Sequence, residues 1–151
     1  MAEETQRRGA TLVCPRPIHD ALVEAARRGA PAEVCGVLGG TFDRQTSRIR
    51  SHYPTPNAAT DPERRYRIDA ETLLETLEML EGRGESVVGF YHSHPRGPAR
   101  PSQTDIDAAA WPDRSYLLVS LAGEPRVRSW RWRAESALAG GRFDAERLVL
   151  E

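Results

Sequence analysis

Apolar side chains recur at three- and four-residue spacing in two stretches of the chain. Ile18, Ala21, Leu22, Ala25 and Ala26 form one stripe, with Gly29 and Pro31 at and beyond its end, which predicts a helix over 17–29. Leu73, Leu74, Leu77 and Leu80 form the other; Asp69 can cap it, Gly82 and Gly84 stop it, and its outer face is mostly glutamate. Shorter apolar runs predict strands. Residues 33–40 read as a strand whose glycines imply close backbone approach, and 47–53 as a more exposed one. A Pro/Asn/Asp-rich loop over 54–62 follows, then a short strand at 65–68. Residues 86–92 are almost wholly apolar, as in a strand buried on both faces. Three prolines stiffen 95–101, and Ser102 opens a helix running to about Ala110. Strands over 116–121 and 127–132 are joined by a segment with Gly123 in the turn, and 143–150 reads as an edge strand or short helix.

Helices and strands alternate only in part, and a hairpin lies near the end. This pattern predicts a mixed α/β (α+β) domain of three layers, a mixed sheet flanked by helices. At 151 residues the chain has the length of one domain, expected over 11–151 behind a polar, disordered tail at 1–10. A net charge of -1 and a pI near 6.4 argue against nucleic acid or an anionic membrane as the main partner. No apolar run is long enough to cross a bilayer, and the opening residues lack the hydrophobic stretch of a secretory signal, so the expected location is the cytoplasm. Cys14 and Cys35 are too few for a disulfide framework and read as buried thiols.

The chemistry concentrates between residues 92 and 105. His92 and His94 are two apart at a strand terminus, so both imidazoles leave the same face. Ser102 and Asp105 are three apart at a helix start, on one side of that helix. Two histidines, one aspartate and a water would make a tetrahedral zinc site with the open position a hydrolase needs, and such a site lowers the pKa of its water to about 7. Taken alone, Ser102 with Asp105 is a helix capping box, and a lone His-x-His is more often packing than ligand. The joint pattern, following a buried strand, is hard to explain by capping and packing together. Glu33 by itself reads as a solvent-facing carboxylate. His19 and His52 read as surface residues, and Trp111, Trp130 and Trp132 as packing.

His92-Ser93-His94, a seven-residue spacer at 95–101, Ser102-Gln103-Thr104-Asp105 and a distant upstream Glu33 resemble the signature of the JAMM (MPN-plus) zinc metalloproteases. The resemblance extends from the first helix to the 127–132 strand and implies a JAMM/MPN-like, cytidine-deaminase-like architecture. It implies that His92, His94 and Asp105 hold one zinc ion per chain. Glu33 would hold the water, take its proton and pass it to the departing amine. Ser102 would donate to the developing oxyanion, a contribution of roughly 3 kcal/mol in comparable sites. Ser93 points the other way and is expected to be structural.

For substrate, the family implies bonds that follow the C-terminal tail of ubiquitin-like, β-grasp modifiers. The compact chain is similar to archaeal desampylases, which free such modifiers from target lysines; the tail is expected to pair with a sheet edge. Release of cysteine or another amino acid from the C-terminus of a sulfur-carrier protein is the alternative. A non-catalytic MPN scaffold is an alternative of another class.

Overall fold

The computed structural model describes residues 9–135 and 140–151. Seven strands and three helices follow one another among the described residues: β1 (Thr11–Cys14), α1 (Arg16–Gly29), β2 (Cys35–Thr41), β3 (Thr46–Thr55), α2 (Ala70–Gly82), β4 (Ser86–His94), α3 (Gln103–Ala108), β5 (Ser115–Ser120), β6 (Arg126–Ala134) and β7 (Gly141–Leu150). Of the tail expected at 1–10, residues 1–8 lie outside the described residues; Ala10 is buried, and its carbonyl accepts the Arg147 N–H.

The class is mixed α/β, but the sheet is not the open middle layer that the element pattern predicts. Its strand order is β1-β3-β2-β4-β5-β6-β7, and β1 pairs in parallel with β7 as well as with β3, so the sheet closes into a barrel. Residues 143–150 therefore form an interior strand, paired with β6 on one side and β1 on the other, rather than an edge. β1 is four residues long, too short for its alternation to stand out in the sequence, yet it joins the two ends of the sheet.

All seven strands contribute to the cluster that surrounds Leu22 and Ala26, so α1 packs on the enclosed side of the sheet. Leu73, Leu77 and Leu80 of α2 pack with Val37, Phe90, Tyr116 and Trp132 in a second cluster. Leu74, expected in the same stripe, is exposed. Asp69 caps α2 as predicted, its carboxylate accepting the Glu71 N–H at 3.2 Å. Among the described residues no helix is long and apolar enough to cross a membrane.

Strand β4 carries the histidines, and its neighbours set its position closely. A Cβ at Gly89 would fall 1.8 Å from the Ser115 carbonyl oxygen of β5, and one at Gly36 of β2 would fall 2.4 Å from the Tyr91 ring. Both glycines are where close backbone approach requires them. Leu38 pairs with Gly89 and Gly39 with Val87, which leaves Val88 as the extra residue of a bulge. Beyond that bulge, alternation turns Phe90 toward α2 and Tyr91 toward α1. The strand runs two residues past its predicted end, so both His92 and His94 are held in the ladder, opposite Leu118 and Ser120 of β5. Residues 65–68 form no strand. Their backbone groups are taken by the loop: Arg67 N–H donates to Asn57 Oδ1 at 3.1 Å, and its carbonyl accepts the Ala58 N–H at 2.8 Å.

Candidate metal centre

His92 and His94 converge from β4 with their Nε2 atoms 3.2 Å apart. Asp105, in the first turn of α3, reaches both: Oδ1 lies 3.2 Å from His92 Nε2 and Oδ2 3.0 Å from His94 Nε2. All three side chains are buried. The capping box is also present. Ser102 Oγ accepts the Asp105 N–H at 3.1 Å, and Asp105 Oδ2 accepts the Ser102 N–H at 2.9 Å. One aspartate thus fixes the helix start and faces the imidazoles, which makes the two readings of Ser102-x-x-Asp105 compatible.

Glu33 completes the group. It sits just before β2 rather than within it, its side chain is buried, and it offers a carboxylate oxygen within 4.8 Å of donor nitrogens on His92 and His94. Its Oε1 is buried and has no hydrogen-bond partner among the described residues. A buried carboxylate oxygen without a partner is costly unless something binds it. The main chain of Glu33 is anchored at both ends, its N–H to the Pro62 carbonyl at 2.7 Å and its carbonyl to Asn57 Nδ2 at 3.0 Å.

The electrostatics follow from burial and proximity. Burial pushes the Glu33 carboxyl up to about 7; His94 opposes this and the Asp105 charge reinforces it. Burial lowers His92 and keeps it a neutral imidazole, the form that binds metal, although Asp105 acts against the shift. Burial also acts downward on His94, but its hydrogen bonds to Asp105 and to the Pro98 carbonyl outweigh that and leave it raised. Burial would raise Asp105, yet hydrogen bonds from His92, His94 and the Ser102 N–H hold it well below the usual carboxylate range.

The donor set fits a small divalent ion. Tetrahedral donors about 2.0–2.1 Å from one ion lie about 3.3 Å apart, close to the 3.0–3.2 Å that separates the two Nε2 atoms and the Asp105 oxygens. A cleft of about 490 Å³ opens beside it, lined by Glu33, His94 and Ser102 and rimmed by Arg64, Arg96 and Arg100.

Residues 15–133 match the family described as prokaryotic homologs of the JAB domain. The chain belongs to this family. It is a compact prokaryotic JAMM hydrolase, and the JAB domain spans most of its length. Over 115 residues it is 41% identical to the desampylase of Haloferax volcanii, covering 74% of this chain and 81% of that one. Over 122 residues it is 38% identical to the CysO-cysteine peptidase of Mycobacterium tuberculosis, covering 80% and 82%. A solution structure of a Desulfitobacterium hafniense protein is similar at TM-score 0.80 and 30% identity, covering 93% of this chain and 92% of that one.

Two residues in contact with His92 and Glu33 carry no sequence signal for that placement. Tyr66 stacks on His92 with ring centroids 4.3 Å apart and planes at 27°. Asn57 ties the loop to Glu33. Tyr66 falls in a stretch that reads as a strand, and Asn57 in a loop whose composition signals turns and nothing more.

Proposed function

We propose that the protein is a zinc-dependent isopeptidase that hydrolyses the bond between the C-terminus of a ubiquitin-like, β-grasp modifier and a target lysine. His92, His94 and Asp105 would hold the zinc, one per chain. When bound, zinc supplies an acidified water and polarises the scissile carbonyl. The observation that carries the reading is Glu33: a buried carboxylate with a free oxygen, beside the two imidazoles and open to the cleft.

Glu33 takes the proton of the attacking water and returns it to the lysine amine as the C–N bond breaks. A buried carboxylate beside the two imidazoles and lining the cleft is placed for both transfers. Ser102 gives a lone pair to the Asp105 N–H and retains its hydroxyl proton, which it donates to the carbonyl oxygen as negative charge develops there. Capping and oxyanion stabilisation use different parts of one hydroxyl and do not compete. The cleft beside Ser102 receives the modifier tail.

A second reading, release of a C-terminal amino acid from a sulfur carrier, is favoured by the likeness to the CysO-cysteine peptidase. The Arg64, Arg96 and Arg100 rim suits the free α-carboxylate such a substrate carries. The deciding experiment offers the zinc-loaded protein a lysine-linked β-grasp conjugate and a carrier ending in cysteine, and identifies products by mass. Free modifier plus intact target lysine supports the isopeptidase; turnover of the carrier alone replaces it with the second reading, and turnover of neither rejects both.

A further inference from the structure

The two histidines are held in different ways. His94 is fixed by a hydrogen bond, its Nδ1–H donating to the Pro98 carbonyl at 2.8 Å. Metal-binding histidines almost always have such a partner on the second nitrogen. His92 Nδ1 is buried and has none among the described residues. What lies against its ring is Tyr66, near-parallel at 4.3 Å.

Tyr66 is not on a strand, so its own position has to come from the loop. Asn57 supplies it. Asn57 Nδ2 donates to the Arg65 carbonyl at 3.0 Å, and its Oδ1 accepts the Arg67 N–H at 3.1 Å, which clamps the backbone on both sides of Tyr66. The same Nδ2 donates to the Glu33 carbonyl at 3.0 Å. One amide therefore links the backbone of the proposed base to the segment that supports one proposed ligand.

We propose that Tyr66 and Asn57 are positioning residues: Tyr66 sets the ring plane of His92 by stacking, in place of the usual hydrogen bond, and Asn57 sets the separation of Glu33 from that ring. This rests on the reading of His92 as a zinc ligand and Glu33 as the base. An aromatic face is the feature that matters in Tyr66, because its contact with the imidazole is a ring stack.

The test measures zinc affinity by competition with a chromophoric chelator, alongside kcat, KM and the unfolding temperature of the metal-free protein. Tyr66→Leu is expected to weaken zinc by roughly 10–100-fold, the range found when the support of a ligating histidine is removed, while Tyr66→Phe retains wild-type affinity. Asn57→Ala is expected to lower kcat at least tenfold with KM little changed, since geometry at the base and not substrate binding is disturbed. Wild-type zinc affinity in folded Tyr66→Leu overturns the role of Tyr66, as does equal loss in Tyr66→Phe. If Tyr66→Leu does not fold, Tyr66→Met replaces it under the same criterion. Unchanged kcat in Asn57→Ala overturns the role of Asn57. Zinc binding that survives His92→Ala sinks the metal-site reading itself, independently of either support.

Discussion

Ser93 and Val34 hold each other by two hydrogen bonds: Ser93 Oγ accepts the Val34 N–H at 2.8 Å, and the Ser93 N–H donates to the Val34 carbonyl at 3.0 Å. Ser93 lies between the two histidines on the opposite face of β4, and Val34 follows Glu33. The residue that separates the proposed ligands therefore binds the segment of the proposed base to the same strand. Ser93→Ala removes one of these bonds and leaves the half-buried Val34 N–H without its partner, a loss of about 1 kcal/mol. We expect zinc content to be retained and kcat to fall several-fold as Glu33 drifts, read by metal analysis and steady-state kinetics; unchanged kcat would show that the pair is structural only.

His92→Ala and Asp105→Ala should each abolish zinc binding and hydrolysis together. Atomic absorption on the purified protein should find about one zinc per chain, and chelation should remove activity that added zinc restores. Full turnover by verified metal-free protein would refute the mechanism.

Glu33→Gln should keep the metal and lose turnover by roughly 10²–10⁴-fold, as removal of a positioned acid-base group does. Loss of zinc instead would make Glu33 a ligand.

The same substitution carries a pH signature in metal-free protein. Burial raises the Glu33 carboxyl from 4.5 to about 7. A group raised on folding contributes its stability fully below its unfolded value and loses it as pH rises through the folded one. The window is thus pH 4.5 to about 7. Glu33→Gln should be no more stable than wild type at pH 4 but more stable at pH 8 by about 1–2 kcal/mol, less than the full shift because the cleft admits water. Urea unfolding in chelator at the two pH values measures it; a gain independent of pH would contradict the buried-carboxylate account.

Arg131 should be the most damaging position outside the site. It is fully buried, pairs with Glu146 at 2.5 Å, and donates to the carbonyls of Thr11, Asp43, Arg44 and Asp113 and to Ser47 Oγ. These contacts join β1, the β2–β3 turn and β6 at the closure of the sheet. Arg131→Ala leaves a buried Glu146 charge and several carbonyls unpaired, and is expected to lose about 3–5 kcal/mol by urea unfolding. Activity per folded molecule should change little.

Much of this architecture was legible in local pattern. Helical spacing marked α1 and α2, apolar runs marked β2, β4 and β5, the turn at Gly123 marked β6 as the hairpin partner of β5, and Asp69 marked a cap, because each depends on neighbours within a few residues. Spacing also put His92 with His94 and Ser102 with Asp105, since two residues along a strand and three along a helix share a face. Leu74 shows the limit of that reasoning: it has the right period and lies exposed, because the width of the buried stripe depends on what covers the helix.

Donor types, their spacing and most of the elements that present them can be read from the chain alone. Glu33 entered the candidate site only through the family resemblance, and the fold sets it beside histidines about 60 residues away. The closure of the sheet by β1 and β7, and the bridge of Asn57 and Tyr66, have no counterpart in local pattern. Range explains the difference. Periodicity and capping are set by bonds along one segment, whereas strand pairing and the stacking of a loop residue on a ligand depend on contacts between segments that meet only once the chain has folded.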